Sequence, residues 1–130
     1  MAHLLCTDQP QGPIAAWMQQ SLRTTGDSCH TVAYAGALSA AQQGNFDDVV
    51  IDVDTLNASL LSLLTQFWKN QAGTPVWLAS RVDGPSEQLL SRCLLAGRRG
   101  ARIQGGGVSL SPLSEISATG LMALRQVVET

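Results

Sequence analysis

Phe46-Asp47-Asp48-Val49-Val50-Ile51-Asp52-Val53-Asp54 holds an unbroken β-branched row, Val49-Val50-Ile51, between an acidic lead-in and an acidic exit. An apolar run without alternation suits a strand covered on both faces, as in the middle of a parallel sheet. Asp52 and Asp54 then fall at its carboxyl end, where open α/β sheets bind ligands. A carboxylate there is costly to bury unless a cation, a hydrogen bond or a proton compensates it. Asp is also a common turn former, so both acids read equally well as solvated turn residues.

Upstream, Ala2–Thr7 reads as a strand followed by Asp8. Ile14, Trp17, Met18 and Leu22 recur at helical spacing, predicting an amphipathic helix over Pro13–Thr24 that Gly26 stops. Cys29–Ala35 is expected to be the second strand, with Tyr34 in it, and Ala37–Gln43 a short helix. Downstream, Leu60, Leu61, Leu64, Phe67 and Trp68 mark a helix from about Ala58 to Gln71, and Thr74–Ser80 reads as the fourth strand. Pro85 opens a helix that turns Leu89, Leu90, Cys93 and Leu94 inward. Ala101–Gln104 reads as the fifth strand, followed by Gly105-Gly106-Gly107. Ser111 as cap and Pro112 at the first helical position predict the start of the last helix, with Leu113, Ile116, Leu124 and Val127 on its buried face.

Strict alternation of strand and helix implies an α/β fold: a parallel sheet with helices on both faces. The expected architecture is a three-layer flavodoxin-like (βα)5 unit, a five-stranded parallel sheet in the order 2-1-3-4-5. That order puts the switch point between the first and third strands, where Asp8 and Asp52 would converge.

At 130 residues the chain fits one domain over 1–130, which could equally be the N-terminal part of a longer protein. Hydrophobic residues make up 45% and charged residues 14%, a globular composition. The net charge of -2 and the absence of a basic stripe argue against nucleic-acid binding. Cys6, Cys29 and Cys93 are far apart and lack metal-ligand spacing, which suits free thiols in a reducing, cytoplasmic setting. Neither a signal-peptide pattern nor an apolar run of about 18 residues is present. His3 and His30 lack catalytic spacing, Ser80 lacks a nucleophile elbow, and Trp17, Trp68 and Trp77 fit core packing.

From Gly36 to Asp52 the sequence GALSAAQQGNFDDVVID resembles the second helix and third strand of response-regulator receiver domains, the CheY-like modules of two-component signalling. Thr74–Ser80 is similar to their fourth strand. The resemblance implies Asp52 as the phosphoacceptor position, Ser80 as the switch hydroxyl, and Asp8 with Asp52 and Asp54 as a weak magnesium site; no other cofactor is implied. The departures are equally specific. The family's acid pair is Thr7-Asp8 here, no lysine follows Lys69, and the aromatic switch residue is missing. Phosphoryl transfer needs a cation and positioned donors around the transferring group. Arg81 and Arg102 are the available substitutes for the lysine, and a guanidinium is a different donor from an ammonium.

The expected function is therefore a pseudo-receiver, not an enzyme, that acts through a protein partner, an output domain or a homodimer without the aspartyl-phosphate switch. Arg92, Arg98, Arg99, Arg102 and Arg125 would form its interaction surface. The alternatives are a working receiver phosphorylated on Asp52 by a histidine kinase, and a flavin- or nucleotide-binding protein using Gly105–Gly107 as phosphate loop.

Overall fold

The computed structural model describes residues 2–54, 57–70, 74–81, 103–105 and 108–129. Their elements run β1 (Ala2–Cys6), α1 (Pro13–Thr25), β2 (Ser28–Val32), α2 (Tyr34–Gln43), β3 (Asp48–Asp52), α3 (Ala58–Lys69), β4 (Val76–Arg81), β5 (Ile103–Gly105), β6 (Val108–Pro112), a 3-10 turn at Leu113–Glu115, and α4 (Ala118–Glu129). The architecture is α/β, with a mostly parallel sheet compatible with a flavodoxin-like fold.

The sheet order is β2-β1-β3-β4-β6-β5. The first four strands are parallel and keep the expected order, with β3 between β1 and β4. Beyond β4 the expectation fails. β6, not the predicted fifth strand, lies beside β4, and it runs antiparallel. Among the described residues β5 pairs with β6 alone, also antiparallel. The register places Gly105 opposite Val108, at one end of the β5–β6 ladder. Val108-Ser109-Leu110-Ser111 alternates apolar and polar, as a half-buried strand does.

Ser111 and Pro112 thus end a strand, and Pro112 leads into the 3-10 turn, not into the last α-helix. Proline cannot donate to a ladder, and Pro112 sits at the strand's last position, opposite Trp77. The last helix begins at Ala118 and takes its cap from Ser117, whose hydroxyl accepts from Gly120 N at 3.0 Å. Tyr34 likewise starts α2 and does not extend β2; its ring is buried in the core. The helix expected from Pro85 lies outside the described residues.

The helices form two layers. α1 covers one face, where Ile14, Ala15 and Met18 meet Leu5, Val50, Ala79 and Val108. α2, α3 and α4 cover the other, where Leu60, Leu64 and Phe67 join Leu4, Val49, Ile51, Leu78 and Leu124. The β3 run thus sends Val49 and Ile51 to one layer and Val50 to the other, as expected of a central strand. α1 ends as expected at Gly26, with φ of 75° and its N–H on the Leu22 carbonyl. Asn57 caps α3 by accepting from Leu60 N at 2.9 Å. Trp68 Nε1 donates to the Ile116 carbonyl at 2.9 Å and ties α3 to the lead-in of α4. Among the described residues, no helix is long and apolar enough to cross a membrane.

Candidate functional site

The order β2-β1-β3 reverses direction at β1, so the carboxyl ends of β1 and β3 define the cleft position. Thr7 follows β1 two residues after Leu5, and Asp52 ends β3 two residues after Val50. Leu5 and Val50 both face α1, so the pleat brings Thr7 and Asp52 together on that side. Thr7 Oγ1 donates to Asp52 Oδ2 at 2.7 Å. Asp52 Oδ1 accepts from Asp54 N at 3.0 Å. The Thr7 hydroxyl also accepts from Gln9 N at 2.9 Å, which fixes its direction. The Tyr34 hydroxyl donates to the Asp52 backbone carbonyl.

Asp52 is only 3% exposed. Burial pushes its pKa up. The hydrogen bonds from Asp54 N and Thr7 pull it back, the charge of Asp54 adds to the rise, and the net direction is upward. The Tyr34 phenol is also raised, first by burial and then by the charges of Asp52 and Asp8.

The other expected site residues face elsewhere. Asp8 is exposed, and its Oδ1 accepts from Tyr34 N at 2.9 Å. It thereby caps α2, whose own N-cap residue, Ala33, has no side-chain acceptor. Asp54 is gripped by Arg81, whose Nε donates to Oδ2 at 2.8 Å and whose backbone N–H donates to Oδ1 at 3.1 Å. Arg81, one of the two arginines considered in place of the lysine, pairs with Asp54. Asp52 is in register with Ala79, so Ser80, next along β4 and buried, falls on the opposite face with Leu78.

A magnesium ion takes near-octahedral oxygen ligation. Asp8, Asp52 and Asp54 do not fit that need as arranged, because they serve three different sets of protein donors. Among the described residues, no group of three His, Cys, Asp or Glu is placed to hold a metal. Arg125 is exposed on α4; Arg92, Arg98, Arg99 and Arg102 lie outside the described residues. Gly105 belongs to the β5–β6 ladder, and Gly106 and Gly107 lie outside them.

Three participants escape a sequence reading. Thr7 is visible only as a missing acid, and Tyr34 reads as a strand residue. His3, set aside for lack of motif spacing, stands between two carboxylates at the other end of the sheet, Asp48 Oδ1 at 2.6 Å and Asp27 Oδ2 at 2.9 Å. Beside the acid site, Asp8, Tyr34, Ser59, Ser62 and Gln66 line an open cleft of about 480 Å³.

Compared with protein-family models, with curated proteins and with solved structures, the chain matches none.

Proposed function

We propose that this chain is a receiver-like signalling module whose acid site holds the fold together and does not accept a phosphoryl group, so that it acts through contact with a protein partner. The observation that supports this reading is the enclosure of Asp52: both carboxylate oxygens accept protein donors, and the residue is 3% exposed. In-line attack on a phosphodonor requires an exposed, ionised carboxylate with a cation beside it. Here burial disfavours the ionised form, the nearest hydroxyl is neutral, and the nearby guanidinium is committed to Asp54. The absence of any lysine after Lys69 points the same way.

The test is to incubate the protein with a small-molecule phosphodonor and Mg²⁺ and to read its intact mass. The proposal expects unmodified protein at all times. A stoichiometric phosphoryl adduct that maps to Asp52 would establish the alternative, a working receiver.

A further inference from the structure

The amino end of the sheet carries a second polar cluster, remote from the acid site. His3 on β1 has each ring nitrogen against a carboxylate, Nδ1 against Asp48 of β3 and Nε2 against Asp27 of the turn into β2. The three side chains are largely withdrawn from water, at 11%, 21% and 20% exposure. An ionised carboxylate only accepts, and a neutral imidazole has one N–H. Both bonds form together only when the ring is an imidazolium.

We propose that protonated His3 is a latch that closes the edge strand β2 onto the sheet, and that loss of its proton releases the Asp27 turn and loosens β2.

The fold makes β2 the element that would respond. Among the described residues it is an edge strand paired with β1 alone, and its burial is slight: Ser28, His30 and Thr31 are exposed. Its hold therefore rests on the ladder and on the turn before it, with little core packing. Asp48 is fixed within β3, and its bond to His3 is the shorter. A deprotonated ring that keeps Nδ1–H on Asp48 presents its Nε2 lone pair to Asp27, and that contact turns repulsive.

Among the described residues, two further titratable groups stand near His3. Cys29 lies opposite it in the β1–β2 register. Asp47, next to Asp48, accepts from Ala2 N at 2.6 Å. The terminal amine acts on Asp27. Burial of the ring opposes the charge, but the hydrogen bonds and charges of Asp27 and Asp48 outweigh it, so the ring titrates above its ordinary value of 6.5. A group raised in the folded state contributes stability that is fully present below that ordinary value and lost as pH rises through the folded one.

The experiment follows the His3 ring by NMR from about pH 5 to about pH 9, alongside amide exchange of β2 corrected for intrinsic rates. His30, stacked on Phe46, is the internal reference. The expected result is a His3 midpoint above 6.5. Protection over Ser28–Val32 should fall about tenfold or more across that midpoint, while β4 protection holds. His3→Gln should make β2 protection low and independent of pH. Asp27→Asn, which keeps the Asp48 bond and tests the latch should the first variant not fold, should lower both the His3 midpoint and β2 protection. A His3 midpoint at or below the ordinary value, or β2 protection unchanged across it, would overturn the latch.

Discussion

The Thr7 hydroxyl and the Asp52 carboxylate meet at 2.7 Å with both side chains buried, at 2% and 3% exposure. A buried acid is stabilised here by a neutral hydroxyl donor and a backbone N–H. Each carboxylate oxygen accepts from one of these donors, so the properties of the acid follow from how each donor is held.

Removing the hydroxyl should leave Asp52 Oδ2 buried without its donor. Thr7→Val is nearly isosteric, so the expected loss of about 1–3 kcal/mol isolates the polar contribution. Urea unfolding with an unchanged slope would measure it. Thr7→Ser should recover most of the loss.

The raised pKa of Asp52 fixes the sign of its pH effect. Its proton is held more tightly in the folded state, so its contribution to stability is greatest below about pH 4, the unfolded value, and declines as pH rises through the folded value. Asp52→Asn removes that decline. The variant should gain stability relative to the parent between acid and neutral pH, as read from melting temperatures across the range. A relative loss toward neutral pH would show that the ionised form is the one the site favours.

Asp8 has a structural role that its exposure conceals. It supplies the N-terminal acceptor that α2 lacks, and its charge complements the helix dipole there. Asp8→Ala should cost about 0.5–2 kcal/mol. Circular dichroism would place the loss in early fraying of a helix.

The Arg81–Asp54 pair should contribute much less. Arg81 is half exposed, at 54% of its side chain, and such pairs contribute up to about 1 kcal/mol. Arg81→Gln keeps the backbone bond to Asp54, so chemical denaturation should move little and become insensitive to added salt.

Part of this arrangement is readable in the sequence. The Val49-Val50-Ile51 run feeds both faces of the sheet, helical spacing locates α1 and α3, and Gly26 stops the first helix. Local patterns suffice there because burial on both faces leaves a strand little choice. Pro112 misleads because proline suits both a first helical position and a strand end, and only the partner strand distinguishes them. Tyr34 has strand propensity and starts a helix because its ring is buried and its N–H has Asp8 as acceptor. At the acid site, the sequence identifies Asp52 correctly as a strand-end acid. Which face it shares, and with whom, depends on parity across neighbouring strands: Thr7 falls beside it and Ser80 across from it. The His3 cluster joins residues from three separate segments, a relation that no spacing along the chain records.

The most direct measurement of the closed acid site is an amide NMR titration with millimolar Mg²⁺, with and without beryllofluoride, repeated on Asp52→Ala. The account predicts no saturable shifts at Thr7, Asp8, Asp52, Asp54 or Ser80 in either condition. Saturable shifts clustered at those residues and lost in Asp52→Ala would contradict it and restore Asp52 as a working phosphoacceptor.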